Sequence, residues 1–390
     1  MKKILNLENT IYFLIVSLPL YLLKINFFGI PTNLWEILTV VTIFWWIIKK
    51  KGRLAIDWKR RDIKYLSIGV GMIFAGLFIS TVLNKNYLAG FGIIKSWFLV
   101  PCAFSFMAVS ALGQNKLKNI FGALYISAFL VALISLIYYM LGETTYDGRL
   151  QAFFNSPNYL AMYLSPAVII AIYLLGESRK QKTRLRSIYI SLAIISLALF
   201  FTYSYAAWVS VIVSLIFFTV ISKKPGRRYL IAILLGIILV LFFQKNSEKF
   251  ISLLSLDERS SLASRVMIWR SAEKLIEDNW LFGIGPGNFQ ADYLQYQKYY
   301  PPYLEWSVPH PHSLYLAFWL YSGILGLTGL LILIYLAVAR LWKNKRREIV
   351  SLASLSIVIY FLIHGVFDTT YFKNDLAVVF WLAYLTLIYG

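Results

Sequence analysis

Long apolar runs dominate this 390-residue chain and restrict it to one class of fold. Hydrophobic residues make up 59% of the sequence and charged residues only 14%, a composition typical of multispanning membrane proteins rather than soluble domains. A transmembrane helix needs about 20 mostly apolar residues. Scanning for such runs predicts an all-α polytopic membrane protein with about twelve transmembrane helices. The predicted spans are 11–29, 32–48, 65–83, 92–112, 117–141, 156–176, 187–203, 205–222, 229–244, 312–340, 349–367 and 375–390.

The basic residues predict which way these helices face. The net charge is +20, and 26 of the 38 Lys and Arg residues lie in six short clusters between apolar runs. Cytoplasmic loops retain positive charge, and with twelve helices all six clusters fall on one side. We therefore expect both termini in the cytoplasm. Because topology accounts for the charge, no nucleic-acid partner is expected. The clusters lie at 2–3, 49–64, 116–118, 179–186, 223–228 and 340–347.

The same topology predicts one integral membrane domain in three parts: an N-terminal bundle of about nine spans (1–244), a long extracytoplasmic loop (245–311) and C-terminal helices (312–390). The first apolar run has no small-residue cleavage site and is interpreted as a retained span. A single cysteine, Cys102, excludes an internal disulfide and a cysteine metal cluster.

The long loop contains a predicted amphipathic helix. Ser260 or Ser261 is a suitable N-cap, and the helix is expected to run to about Asp278. Arg265 falls within the predicted apolar stripe, whereas Arg270 lies on its flank. The helix could lie on the lipid surface with its arginines reaching the headgroups, or Arg265 could point into an internal polar cavity. The stripe consists of Leu262, Val266, Trp269, Ala272 and Ile276.

Two further segments of the loop have recognisable compositions. Gly283–Gly287 (GIGPG) lacks the preceding strand and the following Lys-Ser/Thr of a phosphate loop, so a tight turn is expected there. The tyrosine-rich stretch 293–306 suits a membrane interface and equally suits stacking on sugar rings.

Scarce titratable groups collect on the predicted outer face. His310 and His312 end the long loop, His364 lies near the end of a late span, and Arg149 lies in the outer loop 142–156. The paired histidines could hydrogen-bond headgroups or water, share a metal ion, or handle protons near neutral pH. Arginine is suited to diphosphates by its planar, bidentate donors, and Arg149, Arg265 and Arg270 could bind one without a metal ion.

Four motifs, in this order and on this topology, resemble the O-antigen ligase and polymerase superfamily of bacterial membrane glycan transferases. The resemblance covers most of the chain. The motifs are Arg149-Leu-Gln-Ala-Phe-Phe-Asn155-Ser-Pro-Asn158; Arg265-x-x-x-Trp269 followed by Phe282-Gly-Ile-Gly-Pro-Gly-Asn-Phe289; His310-Pro-His312-Ser313 followed by Ser322-Gly-Ile-Leu-Gly326; and Val366-Phe-Asp368. Two positions depart from the family pattern. Tyr205 stands where members often have the Arg of a Ser-Arg-Gly segment, and Ser313 stands where Asn is common.

The resemblance implies transfer of a glycan from an undecaprenyl-diphosphate carrier to a hydroxyl of a glycan, lipid or protein acceptor, at the outer face of the plasma membrane. It implies inversion at the anomeric carbon, with no metal ion and no cofactor. The implied catalytic residues are His312, Arg265 and Arg149. The implied substrate-binding residues are Arg270, His310, Asn155, Asn158, Trp269, Tyr205 and Asp368.

Other functions remain open at this stage. Within the family, a polymerase of O-antigen or exopolysaccharide differs from a ligase only in its acceptor. A transporter or flippase of lipid-linked sugars would place polar groups near the bilayer midplane on repeated halves. No internal repeat is evident, and Lys24 and Lys95 are the only charges identified within spans. A non-catalytic scaffold is the third possibility, favoured if the Tyr205 departure is disabling.

Overall fold

The computed structural model describes residues 6–27, 30–50, 60–222, 260–301, 308–343 and 348–390, together with 236, 242–245, 247, 250–252 and 255. Its α-helices are α1 (Leu7–Val16), α2 (Leu34–Lys50), α3 (Arg61–Leu83), α4 (Tyr87–Ile93), α5 (Val100–Leu112), α6 (Leu117–Met140), α7 (Pro157–Glu177), α8 (Lys182–Phe201), α9 (Tyr205–Ile221), α10 (Ser261–Asn279), α11 (Phe289–Tyr296), α12 (Leu314–Lys343), α13 (Ile349–Phe367) and α14 (Asn374–Tyr389). A π-helical turn, Ile94–Leu99, joins α4 to α5. The strands β1 (Lys24–Phe27) and β2 (Ile30–Asn33) form an antiparallel hairpin.

Seven helices in the described part of the chain are long and apolar enough to cross a membrane. Helices α1, α9 and α14 are apolar but shorter. Each predicted run other than 229–244 contains a helix, so the prediction of a helical membrane protein holds. Most of the run 229–244, most of the start of the long loop and all or much of four basic clusters, 2–3, 49–64, 223–228 and 340–347, lie outside the described residues.

The first predicted span is wrong in its second half. Helix α1 ends at Val16, and a 3-10 turn, Leu18–Leu22, leads into the hairpin instead of a continuing helix. The break is at Pro19, which lacks an amide hydrogen and whose ring clashes with the carbonyl one turn earlier. The amide of Leu34 then donates to the carbonyl oxygen of Leu23 at 3.0 Å, which closes the hairpin at its base.

The predicted set of charges within the spans, Lys24 and Lys95, is incomplete. Glu36, in the first turn of α2, is 2% exposed and is a further charge within the predicted spans. Lys95 Nζ lies 2.9 Å from Glu36 Oε2 and donates to the carbonyl oxygen of Pro31 at 2.7 Å. Asn374 Nδ2 donates to the other carboxylate oxygen of Glu36. Glu36 is buried and Lys95 is 29% exposed, and their contacts link the hairpin, α2 and α14, whereas Lys24 lies in β1.

Helix α14 lies at the centre of the bundle, with its residues from Asn374 to Ile388 buried. It packs against α5 and α13. Its terminal carbonyl groups are capped by two arginines, since Arg60 and Arg340 both donate to the carbonyl oxygen of Ile388, at 2.9 and 3.1 Å. Asp62 binds both arginines. Cations at a helix C-terminus satisfy its last carbonyls and its dipole.

Helices α3 and α12 pack closely through small residues. A Cβ atom added at Gly76 would lie 2.3 Å from the carbonyl oxygen of Ser322, and one added at Gly329 would lie 2.5 Å from that of Gly69. In lipid, helices associate through close packing of this kind because the hydrophobic effect does not distinguish a helix from a lipid tail.

Helix α12 is kinked at Gly323, whose φ is +63°. At the kink, backbone groups of α12 lose their helical hydrogen-bond partners. The Gly283–Gly287 turn and the residues just before it supply new ones. The amide of Ile284 donates to the carbonyl oxygen of Leu320 at 2.7 Å, and the amide of Ile324 donates to that of Leu281 at 3.2 Å. The tight turn predicted at Gly283–Gly287 is therefore present, with positive φ at its three glycines. Two separate sequence motifs are thus backbone partners, and their contact seats the long loop on the bundle.

Candidate active site

Arg149 is fixed at one end of the bundle by the loop between α6 and α7. The amide of Leu150 donates to the carbonyl oxygen of Phe201 at 2.8 Å, which anchors the loop on the end of α8. Arg149 Nε then donates to the carbonyl oxygen of Thr202 at 2.8 Å, and its Nη2 donates to Asn158 Oδ1 at 2.7 Å. Both contacts use the rigid guanidinium fork, so the charge is held in one orientation.

Asn158 connects this arginine to a buried carboxylate. It lies in the first turn of α7, where Ser156 is the N-cap and Pro157 occupies the first helical position. Proline suits that position because its missing amide would have no helical partner there. The Asn158 amide accepts from Arg149 and donates from Nδ2 to Asp368 Oδ2 at 3.1 Å.

Asp368 is the centre of the cluster. It caps the end of α13, is 2% exposed, and accepts a hydrogen bond from the amide of Thr369 at 2.8 Å. Its Oδ1 lies 3.1 Å from Nδ1 of His312, and its Oδ2 lies 3.7 Å from Nη2 of Arg265. Burial alone raises the pKa of Asp368, but His312 and Arg265 outweigh it and hold the pKa well below its usual range. The carboxylate is therefore ionised.

The ionised Asp368 determines how His312 presents its ring. A carboxylate only accepts hydrogen bonds, so Nδ1 of His312 must carry the hydrogen in this contact. In a neutral imidazole Nε2 is then left with a free lone pair. The side chain of His312 is 32% exposed, which leaves the ring accessible to a ligand. This is the arrangement of an oriented general base.

The backbone at His312 is strained, with φ at +45°. A non-glycine residue in the left-handed region costs on the order of 1–3 kcal/mol and persists only where its surroundings enforce it. Trp269 supplies part of that enforcement, because its indole Nε1 donates to the carbonyl oxygen of His312 at 3.2 Å. Its ring also packs against Phe367. Trp269 thus supports the position of His312 from α10.

Arg265 reaches the cluster from α10, the amphipathic helix of the long loop. The predicted N-cap is confirmed, since Ser260 Oγ accepts from the amide of Ala263. The guanidinium of Arg265 is 16% exposed, and its Nε has no acceptor among the described residues. Arg265 could lie at the lipid surface or point into the protein, and its low exposure agrees with the inward placement. Burial lowers the pKa of Arg149, and the nearby Arg265 lowers it further, so the two guanidinium groups repel each other across one carboxylate.

The buried face of α10 differs from the predicted stripe. Val266 is 37% exposed, although Ala272 and Ile276 are buried as predicted. The buried residues include two serines, Ser264 and Ser271. A helical period drawn through apolar residues alone leaves out buried serines, so it predicts the wrong buried face when small polar residues are part of that face. That face is formed by Ser264, Met267, Ile268, Ser271, Ala272, Leu275 and Ile276.

His310 lies beside the cluster without joining it. Its Nδ1 lies 2.8 Å from the hydroxyl of Tyr321, and its ring packs edge-on against Trp97. Burial lowers the pKa of His310 to about 3, with further lowering by His312 and Lys373. The ring is therefore neutral at physiological pH, and it supports the His-Pro-His segment. The third histidine, His364, lies one helical turn before Asp368 and is fully buried. Its Nδ1 forms a hydrogen bond with the hydroxyl of Tyr360.

Three predicted site residues, Arg270, Asn155 and Tyr205, lie outside the hydrogen-bonded chain from Arg149 to His312. Arg270 and Asn155 are exposed, and Arg270 is five residues, about 140° around α10, from Arg265. Tyr205 donates to Gln244 Oε1 and contacts Ser247, at 3.3 Å each. Tyr205 is the first residue of α9 and comes three residues after Thr202, whose carbonyl oxygen accepts from Arg149. Of the tyrosine-rich stretch, Tyr293 is buried, and 302–307 lie outside the described residues.

Three groups at or beside the cluster are not among the residues predicted from the sequence. The Thr202 carbonyl is a backbone group with no sequence signal. The other two are Tyr159, which directly follows Asn158, and Lys373, which comes five residues after Asp368. The ammonium group of Lys373 lies over the ring of Tyr159. Among the described residues, no group of three or more His, Cys, Asp or Glu side chains is arranged to hold a metal ion.

Comparison with known proteins supports the predicted relationship. Residues 190–331 match the family model described as O-Antigen ligase, which confirms the resemblance to the O-antigen ligase and polymerase superfamily. The matched segment covers little more than a third of the chain. It includes Arg265 and His312, whereas Arg149 and Asp368 lie outside it. A search of curated proteins found no match to the chain.

Proposed function

We propose that this protein is a membrane glycan transferase that moves a glycan from an undecaprenyl-diphosphate carrier to a hydroxyl acceptor. The observation that carries the proposal is the Arg149–Asn158–Asp368–His312 chain of contacts, with Arg265 against the same carboxylate. In the proposed mechanism, His312 is the base that Asp368 orients, and the guanidinium groups of Arg149 and Arg265 are the cations beside it. The match to the O-antigen ligase family supports the same class of reaction.

The chemistry follows from these positions. Nε2 of His312 accepts the proton of the acceptor hydroxyl as its oxygen attacks the anomeric carbon. A new carbon–oxygen bond forms there while the bond to the carrier phosphate breaks on the opposite side, which inverts the configuration. Asp368 stabilises the imidazolium, as an ionised carboxylate bonded to Nδ1 does.

The leaving group is a diphosphate, and the two arginines are suited to it. Negative charge develops on the departing phosphate oxygen, and fixed guanidinium groups in a water-poor site stabilise it. Arg149 and Arg265 lie near one buried carboxylate, Asp368, and the other carboxylate near Arg149, Asp147, is 3.9 Å away and partly exposed, so it competes only weakly with a bound anion. Fixed cations can perform this task without a bound metal ion.

The proposed orientation places the cluster at the outer face of the plasma membrane, with both termini in the cytoplasm. The support is the distribution of the basic clusters between the predicted spans. Cysteines introduced singly at exposed Asn155 and exposed Lys180, in a Cys102→Ser background, test this assignment. A membrane-impermeant maleimide should label the first in intact cells and the second only after lysis, and the reverse pattern would contradict the orientation.

Transfer itself can be tested with purified protein. Incubation with lipid-linked oligosaccharide and candidate acceptors in EDTA should give a glycosylated acceptor and released polyprenyl diphosphate, identified by mass spectrometry. His312→Ala should abolish the product, and exposed Arg270→Gln is the matched control that should retain it. Undiminished transfer by His312→Ala would overturn the assigned base. Movement of the lipid-linked sugar across vesicles without bond formation would favour a flippase instead.

A further inference from the structure

A lysine outside the arginine cluster occupies the same end of the bundle. Lys373 precedes α14, is half-buried, and its ammonium nitrogen lies 4.1 Å from the centroid of the Tyr159 ring. Burial lowers the pKa of Lys373, Lys24 lowers it further, and Asp375 raises it. Lys373 forms no ion pair within 4.0 Å among the described residues. It is a desolvated cation whose closest described partner is an aromatic face.

The loop between α13 and α14 holds Lys373 in a fixed relation to Asp368. The amide of Thr369 donates to Asp368 Oδ1 at 2.8 Å, and the hydroxyl of Thr370 donates to the carbonyl oxygen of Phe361 at 2.9 Å. The amide of Lys373 itself donates to the carbonyl oxygen of Tyr371 at 2.8 Å. Residues 368–372 are buried, so the loop forms a short rigid connection between the carboxylate and the ammonium group.

Lys373 faces a different side of the cluster from Arg149. Asn158 contacts Arg149 and Asp368, whereas the next residue, Tyr159, contacts Lys373. Successive residues of a helix point about 100° apart, so the two cations approach α7 from different directions. Asp368 is linked to both sides, by Asn158 and by the loop to Lys373. Beside the His312–Asp368 pair there is therefore a second cationic position, reached from a direction about 100° around α7 from that of Arg149.

The charges around Lys373 favour an anion. Lys24, on the hairpin, is an exposed lysine that also acts on Lys373, and Asp375 is the acidic side chain that influences Lys373. The charged side chains that act on Lys373 are thus one carboxylate and one further ammonium group. His310 and Tyr159, the other titratable groups beside Lys373, add no negative charge in their neutral forms. A lysine ammonium is a compact point charge, and phosphate is a common ligand for it.

We propose that Lys373 forms a second phosphate-binding position, separate from the arginines, which takes a phosphate of the acceptor. This inference rests on the proposed function, in which Arg149 and Arg265 bind the donor diphosphate. An acceptor held at Lys373 would present its hydroxyl to His312 from the other side of Asp368. The acceptor would then itself be a phosphate-bearing, lipid-linked glycan, which is the substrate of a polymerase-type reaction, rather than a protein hydroxyl.

Binding measurements test the second position independently of transfer. Farnesyl diphosphate is the probe, titrated calorimetrically into the full-length protein in detergent. The wild type should bind about two equivalents, Lys373→Gln about one, and Arg149→Gln with Arg265→Gln should lose the other. Lys85→Gln removes an exposed lysine from the same end of the bundle and should keep both. A single equivalent in the wild type, or two in Lys373→Gln, would overturn the proposal. Intact binding at both positions without any transfer would instead overturn the proposed function.

A phosphate at Lys373 could also come from a lipid headgroup, and lipid nanodiscs separate the two sources. Adding phosphatidylglycerol to phosphatidylcholine discs should leave the Lys373-dependent binding of farnesyl diphosphate unchanged. Its displacement by phosphatidylglycerol would assign the position to a headgroup and overturn the acceptor role.

Kinetics give the corresponding test during turnover. Loss of one hydrogen-bonded charge should raise the KM for a diphosphate-linked acceptor about tenfold in Lys373→Gln. The KM for the donor should not change, and Lys373→Arg should restore part of the acceptor affinity. An equal rise in both KM values, or none, would contradict a role specific to the acceptor.

Discussion

Nδ1 of His312 lies 3.1 Å from Oδ1 of Asp368, although 56 residues separate them in the chain. One residue ends the long loop and the other ends α13, so the contact forms only when the loop is seated on the bundle. The kink at Gly323 and the Gly283–Gly287 turn provide that seat. Formation of the His312–Asp368 contact is thereby coupled to packing of the loop.

Asp368→Asn should reduce transfer on the order of a thousandfold, because the amide neither fixes the Nδ1–H tautomer nor stabilises the imidazolium. The turnover number of purified protein measures this. Asp147→Asn is a suitable control, since Asp147 is partly exposed and lies 3.9 Å from Arg149, where an ion pair contributes little. Similar losses in both variants would argue against a specific role for Asp368.

Arg149→Lys should lower the turnover number about 10- to 100-fold despite keeping the charge. A lysine ammonium cannot reproduce the paired contacts to the Thr202 carbonyl and Asn158 Oδ1, so the charge is no longer held towards the diphosphate. The same exchange at exposed Arg270 should leave the turnover number unchanged. If Arg149→Lys were as active as the wild type, orientation of the charge would not matter.

Stability should fall with acidification partly because of His310. Its pKa is lowered to about 3 from an ordinary value of 6.5, so between these values the unfolded chain binds a proton that the folded protein does not. Stability therefore rises with pH in this window, by at most about 1.4 kcal/mol per pH unit. Thermal unfolding in detergent from pH 7 to pH 5 should show a smaller loss of Tm in His310→Gln. An equal loss in both proteins would mean that His310 is not buried in its neutral form.

Gly323→Ala should destabilise the protein by several kcal/mol. The alanine Cβ would lie 2.2 Å from the carbonyl oxygen of Leu281, and φ at +63° is strained for any side chain. Thermal unfolding followed by tryptophan fluorescence measures the change. Gly122→Ala, in α6 with open space around its Cβ position, should be neutral or slightly stabilising. A Gly323→Ala protein of unchanged Tm would show that the kink can relax.

The sequence was sufficient for the class of fold and for most helix positions. Apolar runs of bilayer length are a local property, and α13 begins and ends at the predicted residues, Ile349–Phe367. It was not sufficient where a local rule competed with a tertiary contact. Pro19 ended a helix inside an apolar run, and Val266 was placed on a buried face that the serines of α10 occupy instead.

The sequence by itself determined that the chain is a helical membrane protein with few titratable groups outside its basic clusters. Its predicted topology pointed to Arg149, Arg265 and His312 on one face, and the family resemblance implied Asp368 and Asn158. Only the tertiary structure decided that Asn158 and Asp368 join them and that Lys373 lies on another side. These contacts link α7, α10, α13 and the end of the long loop. Hydrogen bonds between distant segments depend on helix packing and backbone direction, which residue spacing along the chain does not encode.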